Sequence, residues 1–112
     1  MLRIALLVTF FIHGLIHLMG FTKAFQLAEI DQLTLPISKS SGVFWLIGCL
    51  LMLGSGAALL LKLNWWWAVA LLSVIISQVL IIMSWQDAKF GTVANAIILI
   101  GILSLYFITA GG

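Results

Sequence analysis

Four long apolar runs, parted by short polar breaks, set the pattern of this chain. They cover residues 2–22, 41–63, 65–85 and 92–110. A helix that crosses a bilayer needs about 20 apolar residues. The runs are continuous rather than alternating, and each is longer than the roughly 9–11 residues of a membrane barrel strand. The pattern therefore predicts an all-α fold: one transmembrane domain over residues 1–112, built as an integral membrane bundle of four antiparallel helices. The first run carries one positive charge at its start, Arg3, and then stays apolar to Met19. That is longer than the roughly 7–15 residues of a signal-peptide core, and no A-x-A-like site follows, so it reads as a retained span.

The breaks differ in kind. Residues 26–40 form the long one, with Glu29, Asp31, Lys39 and the single proline, Pro36. Leu27, Ile30 and Leu33 recur at three-residue spacing there, as in a short helix lying in the interface. Pro36 disfavours helix just before it, and Ser40 or Ser41 is placed to cap the second span. Lys62-Leu63-Asn64 is so short that spans two and three must be antiparallel neighbours. Gln86 to Gly91 joins spans three and four, with Thr92 as a cap. Trp65-Trp66-Trp67 at one boundary, and Trp45 and Trp85 near the other, fit the aromatic belt of a bilayer.

Composition sharpens this picture. The 112 residues are 64% hydrophobic and 7% charged, against roughly 25% charged in soluble domains. Such a surface belongs in lipid. Basic patches with interleaved aromatics are absent, which excludes nucleic acid as a partner. Arg3 and Lys62 fall at one end of the bundle, and Lys23, Lys39 and Lys89 at the other. Counting Lys and Arg only, two against three does not choose an orientation. Cys49 is the only cysteine. It has no internal disulfide partner and reads as a buried, inert thiol.

The candidate chemistry sits in the first span. His13 and His17 are the only histidines, and with Thr9 they share one helix face. His13 falls near the bilayer midplane, and His17 about 6 Å nearer the side of the long connection. Gln78 in the third span and Asn95 in the fourth fall at similar depth, with Asp87 at the mouth. Polar groups in lipid are costly unless they face the bundle interior or a water-filled cavity. His13, His17, Gln78 and Asn95 are therefore expected to wall a pocket that opens toward the 26–40 and 86–91 side. Gly48, Cys49, Met52, Ser55 and Gly56 of the second span allow close helix approach.

Several chemistries fit a histidine pair in an apolar wall. A lipophilic ligand such as a quinone would bond to the histidines, with Gln78 and Asn95 assisting. Zinc, or copper with Met19, Met52 or Met83, is an alternative use of His13 and His17. The pair cannot sandwich a haem from one helix face. A small proton-coupled transporter would also have four short spans, but the multidrug transporters of this size carry a glutamate in the first span, which is missing here. A structural role in a larger membrane complex is a further alternative, with the polar groups serving as interhelical bonds. The spans hold no nucleophile–base set and no paired carboxylates, so catalysis by this chain alone is not expected.

The stretches His13-Gly14-Leu15-Ile16-His17-Leu18-Met19-Gly20-Phe21-Thr22-Lys23-Ala24-Phe25 and Ser84-Trp85-Gln86-Asp87-Ala88-Lys89-Phe90-Gly91-Thr92-Val93-Ala94-Asn95 resemble a group of bacterial four-span membrane proteins, broadly DoxX-like. Some members of that group are membrane subunits of a thiosulfate:quinone oxidoreductase. The resemblance implies a multi-pass protein of the bacterial inner membrane. It also implies a quinone as candidate cofactor, and membrane lipids, a membrane or redox partner protein, or a second copy of the chain as partners. It carries over no site residue.

Overall fold

A computed structural model describes residues 2–27 and 37–111, with side chains described as far as Ile108. The helices are α1 (Leu2–Ala24), α2 (Lys39–Leu60), α3 (Trp66–Met83), the one-turn α4 (Trp85–Ala88) and α5 (Gly91–Gly111). Four of them are long and apolar enough to cross a membrane, and no strand occurs among the described residues. The fold is the expected all-α bundle. The helices form a ring in which α1 packs on α2, α2 on α3, α3 on α5 and α5 on α1.

Each long helix is apolar all round, so burial rather than hydropathy marks its inner face. In α1 the buried residues are Leu6, Phe10, His13, Gly14, His17, Gly20 and Ala24, mostly alternating steps of four and three. In α5, Asn95, Ile98, Ile102 and Leu105 repeat that rhythm. This is the seam that helices crossing at about +20° present to one another in membrane bundles. Ile4, Val8, Phe11, Ile12, Leu15 and Ile16 lie on the opposite side of α1 and are exposed, as lipid-facing residues are.

The helix ends depart from the expected boundaries for identifiable reasons. Ser38, rather than Ser40 or Ser41, is the cap of α2: its side chain accepts from the Ser41 N–H at 3.1 Å, so the helix starts two residues early. At the far end of α1, Gln26 is left-handed (φ 55°). Its N–H bonds to Lys23 O, and the Leu27 N–H to Thr22 O. That pair of bonds is a Schellman closure. Lys62 (φ 59°) closes α2 the same way, with the Leu63 N–H on Ala58 O. Neither stop carries the usual glycine. Thr92 lies inside α5 instead of capping it. The interfacial helix expected within residues 26–40, with Ile30, Leu33 and Pro36, falls largely outside the described residues.

Two tryptophan assignments change. Trp45 is buried, not in the aromatic belt. Gly20 has no Cβ, and the Trp45 ring fills the space such an atom would need. Of Trp65-Trp66-Trp67, the outer two are exposed and Trp66 is buried. It joins Leu6, Phe10, Met52, Leu59, Ile98 and Ile102 in an apolar core. That core fills the half of the bundle nearer the α2–α3 turn. The half nearer α4 contains the polar groups.

Candidate functional site

His13 stands at the middle of α1, four residues before His17, so both rings lie on the inner face at the centre of the bundle. Gly48 of α2 makes room for His17: a Cβ there would come within 3.1 Å of its Cδ2. The two imidazoles meet edge to face, with centroids 4.5 Å apart. The Trp45 ring lies 5.2 Å from that of His17.

Hydrogen bonds fix where the protons are. His17 Nδ1 is 2.7 Å from the carbonyl oxygen of His13. A carbonyl only accepts, so His17 Nδ1 carries the proton. Its Nε2 is then an acceptor, and the Ser77 hydroxyl donates to it across 2.6 Å. Asn95 Nδ2 donates to Ser77 Oγ at 3.1 Å and to Gln78 Oε1 at 3.0 Å. Asn95 Oδ1 therefore faces His13 Nε2 at 2.9 Å as an acceptor, and His13 Nε2 donates. The chain of bonds ends on α5, where Gln78 Nε2 donates to Thr92 Oγ1 at 3.0 Å. Every bond is made with both histidines neutral, the form that lipid burial favours.

His13 Nδ1 is the exception to this pairing. With Nε2 holding the proton, Nδ1 presents a lone pair, and no hydrogen bond among the described residues reaches it. Yet no buried side-chain nitrogen or oxygen in the described part lacks a partner. His13 Nδ1 is therefore not sealed in protein.

A cavity of about 400 Å³ adjoins His13. Its α1 wall is His13, Ile16, His17 and Met19; Trp45 and Ile81 contribute from α2 and α3; Asp87, Phe90, Gly91 and Ala94 complete it on the α4 side. Helices α1 and α5 pack through Leu6 against Gly101 and through His13 against Asn95. Nearer α4 the cavity lies between them. The wall is largely apolar, with the imidazoles as its inner polar edge. The cavity lies on the expected side of the bundle, beside α4.

All four residues expected at the pocket come together, in two layers. His13 and His17 line the cavity. Asn95 and Gln78 lie outside its lining and hold the histidines through Ser77 and each other. Thr9, on the same face of α1, bonds back to Ala5 O at 2.8 Å and takes no part. Metal chelation by the pair would require a new arrangement, because both nitrogens of His17 are engaged. Among the described residues no three His, Cys, Asp or Glu side chains cluster as a metal site. Ser77 and Trp45 are the site residues that sequence reasoning did not nominate.

Comparison with protein-family models, with curated proteins and with solved structures gave no match. The class that the fold defines is a small multi-pass membrane bundle with a polar centre, and the geometry of that centre carries the functional argument.

Proposed function

We propose that this chain is a DoxX-like protein of the bacterial inner membrane whose cavity binds a lipophilic ring compound bearing a hydroxyl group, such as a quinol. It would act as a binding module or as a subunit beside a redox partner. Two observations together carry this reading: His13 lines an apolar cavity, and its Nδ1 keeps an unbonded lone pair that is not sealed in protein. Neither imidazole directs an N–H into that space. A ligand must therefore bring its own donor, which a quinol hydroxyl supplies and a quinone carbonyl does not. A cavity of about 400 Å³ lies within the range of small-molecule sites, about 300–1,000 Å³. Its apolar wall suits a ring, and its place between two membrane helices suits entry from lipid.

The test compares duroquinol with duroquinone, binding to the purified chain in lipid discs, followed by quenching of intrinsic tryptophan fluorescence. One hydrogen bond is worth about 1 kcal/mol, so the quinol should bind several-fold more tightly. His13→Phe should erase that preference, and Ala94→Phe should block both ligands by filling the cavity. Equal affinity for the two forms in the unaltered protein, or binding indifferent to Ala94→Phe, would sink the proposal.

A further inference from the structure

A second cavity, of about 300 Å³, lies at the opposite end of the bundle from the histidines. Arg3 at the start of α1, Lys62 and Asn64 in the α2–α3 turn, and Trp67 and Tyr106 line it. The left-handed backbone at Lys62 that closes α2 sets this lysine on its rim. The Arg3 guanidinium is half-buried and donates through Nη1 to Leu59 O at 3.3 Å. One of its five N–H groups makes that bond, which leaves others for a ligand.

The charges here are one-sided. The chain has three acidic residues. In sequence, Glu29 and Asp31 fall between α1 and α2, and Asp87 lies in α4, so none belongs to the helix ends that meet at this cavity. Among the described residues that line the site, no carboxylate side chain accompanies the two cations. Aromatic rings frame it, with Trp67 and Tyr106 edge to face at 5.3 Å. Tryptophan and tyrosine at this level mark the headgroup layer of a bilayer. Ile4, Leu60 and Leu61 nearby are exposed and offer apolar surface to acyl chains.

We propose that this cavity binds the phosphate of an anionic phospholipid, with Arg3 and Lys62 as its ligands and Trp67 and Tyr106 beside the glycerol region. Arginine presents its N–H groups in a planar fork that matches phosphate oxygens, and lysine adds a point charge. A lipid is preferred to free phosphate because the polar site continues directly into exposed apolar helix surface.

The whole chain is purified from discs of phosphatidylcholine containing a minority of phosphatidylglycerol, and retained lipid is counted by native mass spectrometry. The unaltered protein should retain phosphatidylglycerol selectively. Arg3→Gln and Lys62→Gln should each reduce that retention roughly fivefold, the effect of one cation near an anionic surface. Arg3→Lys should fall between, since it keeps the charge and loses the fork. Helical circular dichroism confirms that each variant is folded, and His13→Phe, at the other end, should leave retention unchanged. A competition arm adds inorganic phosphate at constant ionic strength. Displacement by phosphate alone would assign the site to the free ion and overturn the lipid proposal. So would equal retention in folded Arg3→Gln and Lys62→Gln proteins.

Discussion

Ser77 has one hydrogen to give and two lone pairs to offer, and the centre of the bundle depends on both functions. It donates to His17 Nε2 and accepts from Asn95 Nδ2, and His13 Nε2 lies 3.5 Å away. Removing the hydroxyl leaves an imidazole nitrogen without its donor and an amide hydrogen with one acceptor fewer. In water-soluble proteins such a loss costs about 1–3 kcal/mol. Within a membrane, interhelical bonds average about 0.6 kcal/mol, because the separated helices also find partners. Ser77→Ala is therefore expected to destabilise the bundle by about 1 kcal/mol, measured by reversible unfolding in mixed micelles, and Ser73→Ala by less. Ser73 bonds back to Ala70 O within its own helix, and its hydroxyl also lies 3.5 Å from the Met52 sulfur. This difference explains why the histidines were legible in the sequence and Ser77 was not. An intramembrane histidine is costly enough to demand an inward position. A serine in a helix can satisfy itself on a preceding carbonyl, as Ser55 does on Leu51 O. Only the packed structure separates the serine that reaches across from those that turn back.

At the scale of the helices, hydropathy located all four spans, and the errors lie at their ends. The end signals used in sequence reading are glycine, proline and side-chain caps. This chain closes α1 on Gln26 and α2 on Lys62, two residue types that rarely adopt the left-handed conformation. What holds them there is the pair of Schellman hydrogen bonds, together with the need to turn at the membrane boundary. Gln26 is exposed, so its side chain is not required for packing. Gln26→Gly should accordingly raise stability by up to about 1 kcal/mol, seen as a higher midpoint in thermal unfolding. A lower midpoint would mean that the glutamine side chain holds the turn through contacts of its own. Trp45 was misplaced for a different reason. Its position in the sequence suits the interface, and only its match to the hole left by Gly20 turns it inward.

The molecule as a whole divides into an apolar half near the α2–α3 turn and a polar half near α4, and the two halves hold the bundle together differently. In the apolar half, Leu6, Phe10, Met52 and Ile98 are almost completely buried and work through close packing. In the polar half, six side chains from three helices are joined by hydrogen bonds, beside a cavity that no packing requirement explains. A bundle selected only for stability has a simpler solution, because replacing all partners of a buried network with apolar groups of similar shape is often neutral or stabilising. The combined variant His13→Leu, His17→Phe, Ser77→Ala, Gln78→Leu and Asn95→Leu should therefore unfold within about 1 kcal/mol of the original protein. His13→Leu alone should be the less stable of the two, since it leaves Asn95 Oδ1 buried without a donor. The combined variant should also lose the preference for a hydroxyl-bearing ligand while keeping the bundle intact. Unfolding measured for both variants under one set of conditions separates the possibilities. If the combined variant proves markedly less stable than His13→Leu, the polar layer serves to fix the packing of the helices. If stability is kept and binding is lost, the layer exists for the cavity it borders.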